Sequence, residues 1–136
     1  MKFALRVVSV ERSLYEGEVE FLVANGAVGE IGVLARHAPL MTILKPGPLR
    51  IQEVIGGPEE VLFVGGGFLE VLPDRATVLA DVAEHADEIS VDRAEEARRR
   101  AKERLAGTLT TAEEVEFQQA LAVAEARLRL ARARRS

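Results

Sequence analysis

"EEVLFVGGGFLEVLPDRATVLAD", residues 59–81, is the stretch that decides the fold. Short apolar runs stand on either side of two breaks. One is the glycine triplet at 65–67, and the other is Pro73-Asp74, a tight reversal between a strand ending at Leu72 and one restarting at Ala76. The triplet is read as close packing or a bulge between strands. The same texture reaches back to the N-terminus, where "FALRVV", "EVEFLVA" and "GPLRIQEV" are divided by "NGAVGEIG", "ARHAP", "KPG" and "GGP". Strand and turn signals recur roughly every ten residues, the spacing of an all-β sandwich or barrel. In "EVEF" the alternation predicts Val19, Phe21 and Val23 facing inward, with Glu18 and Glu20 in water.

The texture changes after Asp81. From Ser90 onward there is no proline and a single glycine, Gly107, and Ala, Glu, Arg and Leu dominate. Ser90 is the expected N-cap of a helix, with Asp92, Glu95 and Glu96 near its positive end. Ala94, Ala97, Ala101 and Leu105 form one apolar stripe, and Phe117, Leu121, Ala124, Leu128 and Ala131 a second. "AGTLTTAEE" interrupts them, and Thr111 with Glu114 is the expected capping box of the second helix. The predicted fold is therefore β + α: an antiparallel β-sandwich over 1–86, then an αα-hairpin over 87–136 with helices at about 90–106 and 111–134. Asp81–Ser90 is the expected hinge. An alanine-rich seam buries little area, so pairs such as Glu95–Arg99, Glu96–Arg100 and Glu125–Arg129 should contribute ~0.2–0.5 kcal/mol each.

Composition narrows the function. At 136 residues and 48% hydrophobic, the chain can build one core domain with an appendage. It has no cysteine, which excludes a disulfide framework, a thiolate zinc site and a cysteine nucleophile. No apolar run approaches bilayer length and "MKFALRVVSV" has no signal-peptide cleavage pattern, so a soluble, unprocessed protein is expected. The net charge of -4 is unevenly spread. Residues 1–86 hold seven Lys/Arg against twelve Asp/Glu, and 87–136 hold eleven against ten. The last ten residues, "RLRLARARRS", carry five arginines and no acid, an end suited to something acidic on an otherwise acidic body.

Catalytic and metal residues are not expected. His37 and His85 lie in separate segments without ligand spacing, and His37, in "RHAP", reads as a turn histidine bonded to backbone. The glycine triplet lacks the Lys-Ser/Thr of a phosphate loop, and no serine has a nucleophile-elbow context.

"GEIGVLARHAPLMTILKPGPLRI" (29–51), "GGGFLEVLPDRATVLADVAEHADEI" (65–89) and the Ala/Arg-rich hairpin together resemble the epsilon subunit of the bacterial F-type ATP synthase, from near Leu5 to about Arg132. The resemblance implies a non-catalytic subunit of the central rotor stalk. It implies gamma, the ring of c subunits and the alpha and beta subunits as partners, and a peripheral place on the cytoplasmic face of the cell membrane. Glu30 matches an acidic turn position near the polar loops of the c-ring in relatives, although such an acid can also be a solvated turn residue. His37, Ala38 and Pro39 match "GHAPL", with Arg36 where glycine is usual, so the backbone there must differ or take a positive φ at a cost. Arg127, Arg129 and Arg132, followed by Arg134 and Arg135, would meet acidic surface in the catalytic head.

In some relatives an Ile/Leu-Asp-x-x-Arg-Ala motif, with a preceding glutamate and a distal arginine, binds ATP. Ile89, Arg93 and Ala94 match it here, Glu84 and Arg100 match the outlying positions, and Ser90 replaces the aspartate. Arg93 and Arg100 are seven apart and share a helix face, with Arg104 beside them. The same residues can also be a solvated face of i,i+4 pairs. No tightly bound cofactor is expected, with ATP as a weak regulatory ligand. Two functions follow: a rotor-stalk subunit whose movable hairpin inhibits ATP hydrolysis, and a free-standing sandwich with an arginine-tipped hairpin for an acidic ligand or nucleic acid. Sparse aromatics and the acidic body disfavour nucleic acid.

Overall fold

The computed structural model describes residues 1–135, with side chains through Arg134, so the side chain of Arg135 and all of Ser136 lie outside the described residues. The chain divides into two compact units, Met1–Ala86 and Asp87–Ser136. In the first are ten strands: β1 (Phe3–Ser9), β2 (Ser13–Val19), β3 (Phe21–Gly26), β4 (Gly29–Val33), β5 (Leu40–Leu44), β6 (Gly47–Gln52), β7 (Glu59–Val64), β8 (Gly67–Leu72), β9 (Arg75–Ala80) and β10 (Ala83–His85). They form one sheet folded on itself in the order β10-β7-β6-β3-β5-β8-β9-β1-β2, with β4 paired to β3 off this path. The two ends of the path, β10 and β2, lie in contact, so the sheet is nearly closed. Pairing is antiparallel except between β1 and β9, which run parallel.

Alternation supplies the core. Phe3, Leu5 and Val7 of β1, Leu49 and Ile51 of β6, Leu69 and Val71 of β8, and Ala76, Val78 and Ala80 of β9 all point inward. The expected inward set around "EVEF" holds only for Val19. A bend at Glu20, whose N–H donates to the Gln52 carbonyl, separates β2 from β3 and reverses the parity. Leu22 and Ala24 are therefore buried in place of Phe21 and Val23. The glycine triplet is a close approach: Gly67 has φ 141°, and a Cβ there would stand 2.1 Å from the Leu79 carbonyl oxygen.

The segment expected as a hinge is partly built in. Residues 83–85 form β10 against β7, so the sandwich unit takes in most of the expected hinge and ends at Ala86, the first residue of a 3-10 turn, Ala86–Glu88. The second unit holds α1 (Val91–Leu105) and α2 (Thr111–Arg135). Ser90 caps α1, its hydroxyl accepting from Arg93 N–H at 3.2 Å. The cap of α2 sits one residue earlier than expected. Thr110 Oγ1 accepts from Glu113 N–H and Glu113 Oε1 accepts from Thr110 N–H, both at 3.1 Å. Either threonine has a glutamate three residues on, and starting at Thr110 adds the first helical bond, Glu114 N–H to the Thr110 carbonyl.

Between the helices the seam is small-residue. Ala94 and Ala101 are buried on α1, and Ala124, Leu128 and Ala131 on α2. Ala97 is exposed, contrary to the expected stripe, because the buried arc centres nearer Arg98, which is half-buried. Glu95 does not pair with Arg99: it binds Arg132 on the other helix, while Arg99 takes Glu96 and Glu103.

Candidate functional site

Glu30 lies at the start of β4, exposed, opposite Asn25. The reversal before it lifts Val28 to 96% exposure. His37, Ala38 and Pro39 sit beyond the other end of β4. Arg36 there has φ 65°, and among the described residues it is the one non-glycine with positive φ. The glycine-like backbone is thus kept by an arginine, held by its N–H donating to the Pro73 carbonyl at 2.7 Å. His37 Nδ1 lies 2.7 Å from the Ala38 carbonyl oxygen, the backbone-bonded turn histidine expected. Glu30 and His37 do not form one place. Gly26, beside Gly29, pairs with Leu44 at the end of β5, whereas Leu40, at its start, pairs with Val71 near the Pro73 turn.

Sequence reading missed a surface between these two ends. Ile43 of β5 is in register with Phe68 of β8, and Phe68 with Leu79 of β9; each is half exposed, and Val8 of β1 continues the row. Met41, two residues along β5 on the same face, widens it. In-register neighbours on a sheet point the same way with side chains ~5 Å apart, so three strands offer one apolar ridge. Exposed apolar side chains in register on neighbouring strands make this a candidate interaction face.

The charged helix face is more crowded than its spacing implied. Arg93 and Arg100 do line one shallow groove, together with Asp92, Glu96 and Ala97. Arg100 Nη2 donates to Glu96 Oε1 at 3.4 Å, and Arg99 donates to both oxygens of Glu96, at 2.6 and 3.2 Å. Those bonds, led by the ones from Arg99, hold the Glu96 carboxyl below the usual glutamate range. Ile89 and Ala94 are buried packing residues, and the Ser90 hydroxyl is committed to the helix cap. Glu84 is on β10, in the sandwich unit. Arg104 is not beside the pair in function: its guanidinium lies over the Phe117 ring and binds Glu113.

Of the C-terminal arginines, Arg127 is half-buried and Arg129 exposed on α2. Arg132 bonds Glu95 at 3.2 Å and Arg134 bonds Asp87 at 2.7 Å. No three His, Cys, Asp or Glu side chains gather as a metal site among the described residues, and no described helix is long and apolar enough to cross a membrane.

Known proteins share this arrangement. Residues 2–86 match the family model of the ATP synthase delta/epsilon chain β-sandwich domain, and residues 87–132 that of the delta/epsilon chain long α-helix domain. The chain is 51% identical over 126 residues to the ATP synthase epsilon chain of Laribacter hongkongensis, covering 92% of this chain and 89% of the relative. It is 50% identical over 107 residues to that of Acidithiobacillus ferridurans, covering 79% and 74%. In three dimensions it is similar to a chain of the mitochondrial ATP synthase of Euglena gracilis, with TM-score 0.76, 22% identity and coverage of 92% and 78%. A chain of the central stalk and c-ring structure from Tetrahymena thermophila gives TM-score 0.68 and 15% identity, with coverage of 100% and 98%. At these identities the structural likeness bears on the fold.

Proposed function

Because the chain belongs to the delta/epsilon chain family of ATP synthase, we propose that it works as a non-catalytic central-stalk subunit that couples the catalytic head to the c-ring. The observation that carries this reading is the apolar ridge Ile43–Phe68–Leu79, a preformed sheet face for a stalk partner, the gamma subunit. Glu30, beside the exposed Val28 tip, is the part offered to the polar loops of the c-ring. His37, Ala38 and Pro39, with the His37 ring bonded to the Ala38 carbonyl, form a separate contact in this reading. The protein would sit peripherally on the cytoplasmic face of the membrane, held there through the complex.

The hairpin is the regulatory part in this reading. Its arginine end, with Arg127, Arg129 and Arg132, meets acidic surface on the alpha and beta subunits and slows ATP hydrolysis, with ATP as a weak ligand at Arg93 and Arg100. The sandwich core is drawn from residues 3–80, so the first unit can be tested alone. Reconstitution with tagged gamma and the head subunits is the experiment. Full chain and a chain ending at Asp87 should both be retained with gamma, and only the full chain should slow hydrolysis. Loss of retention on Phe68→Glu supports the ridge; retention of nucleic acid without gamma would sink the stalk reading.

A further inference from the structure

The root of the hairpin, where α1 begins and α2 ends, joins acid to base. Arg134 donates from Nε and Nη2 to Asp87 Oδ1 at 3.0 and 2.7 Å, and Arg132 Nη2 donates to Glu95 Oε1 at 3.2 Å. These bonds link residues 47 and 37 positions apart, so they exist only while the two helices lie closed on each other. The apolar seam they supplement is thin, with α1 contributing Ala94 and Ala101 as its buried residues. Asp87 precedes the helix, and its largely exposed carboxylate faces Arg134, which the chain reversal brings there.

We propose that Asp87 and Glu95 mask the arginine end in cis. In the closed hairpin they occupy the guanidinium groups of Arg132 and Arg134, standing in for the carboxylates of an acidic protein surface. Such a surface therefore binds this end by displacing them, and partner binding and opening of the hairpin root become one event. This rests on the reading that the arginine end takes an acidic partner. An exposed ion pair shifts an equilibrium by only about 1.5- to 5-fold, so the mask is weak enough to be displaced and two independent pairs together weigh about 2- to 25-fold. Geometry favours the cis pairs because the helices are already tethered, and salt weakens both competitors.

The test uses the full chain and a fluorescein-labelled polyglutamate of about 20 residues, followed by anisotropy in low-salt buffer. Asp87→Asn/Glu95→Gln should bind the probe about 2- to 25-fold tighter than the parent, and amide exchange in the first turns of α1 should quicken. Glu16→Gln/Glu18→Gln, which removes the same charge from an exposed strand of the sandwich, should bind within about twofold of the parent. Equal affinity of the two double variants overturns the mask. Equal affinity of the parent and Arg132→Gln/Arg134→Gln instead overturns the reading that this end takes acidic surface.

Discussion

The guanidinium of Arg104 lies 4.5 Å over the ring of Phe117, so the last turn of α1 is clasped to the second turn of α2. Arg104 also binds Glu113 at 3.3 Å, the acid of the α2 capping box. A cation over a partly exposed ring contributes about 0.5–1 kcal/mol. In a double-mutant cycle of Arg104→Ala and Phe117→Ala, a coupling of that size is expected, read as a 2- to 5-fold change in amide exchange at Lys102–Leu105. The coupling should survive 0.5 M salt better than that of Arg104 with Glu113, which is a screened ion pair.

Arg36 and Gly67 give opposite outcomes for the sandwich. An L-residue at φ 65° costs roughly 1–2 kcal/mol, while glycine loses more chain freedom on folding, by about 0.5–1 kcal/mol. Arg36→Gly should therefore stabilise the unit slightly, by up to about 1.5 kcal/mol, and Arg36→Val should destabilise it by about 2 kcal/mol. Gly67→Ala should be worse than either, since its Cβ would collide with backbone that is held in the β8–β9 ladder. Thermal unfolding of the chain ending at Asp87 measures all three.

Acid should loosen the hairpin through Glu113. Its bonds from Thr110, the backbone N–H first and then the hydroxyl, with the charge of Arg104, hold the carboxyl below the usual glutamate range. A carboxylate with a lowered folded pKa contributes stability that is complete above its unfolded value of about 4.3 and is lost as pH falls through the folded value. Helix content should stay flat from pH 7 to about 5 and decline below about 4. In Glu113→Gln, which keeps the box geometry without the charge, that decline should be smaller. Thr110→Ala should cost about 1 kcal/mol at neutral pH, and Thr111→Ala much less.

What the sequence disclosed follows from which signals are local. Turn residues at 73–74, the loss of glycine and proline after Ser90, and the Ser90 cap all act within a few residues, and they were legible. The strand β5 carries no such local signal, because Leu40, Met41, Ile43 and Leu44 put apolar side chains on both of its faces and so hide the alternation. The ridge of Ile43, Phe68 and Leu79 needs the register of three strands, and no spacing along the chain encodes it. The bend at Glu20 is equally silent: one residue reverses the parity of the strand that follows it. At the hairpin root the arginines were visible as composition, whereas Asp87 and Glu95 became their partners only when the chain folded back.

The nucleotide reading turns on competition in one groove. Arg93 and Arg100 share it with Asp92 and Glu96, and Glu96 already holds Arg100 while being held by Arg99. A triphosphate entering there must displace Glu96 from Arg100 and sit near two carboxylates, so ATP should bind the isolated protein weakly. Glu96→Gln removes one repulsive charge and frees Arg100, and it should tighten ATP. Ser90→Asp should tighten it too, because bonds to a charged acceptor contribute ~1.5–3 kcal/mol against ~0.5–1.5 for a neutral one, about tenfold in affinity. Aspartate caps a helix about as well as serine, so the bond to Arg93 N–H and the stability of α1 should be kept. Arg93→Ala and Arg100→Ala should each abolish binding. Titration calorimetry on the parent and these four variants decides it. If Glu96→Gln and Ser90→Asp gain nothing and the arginine variants bind like the parent, the groove is a solvated face, and the hairpin does not sense ATP through it.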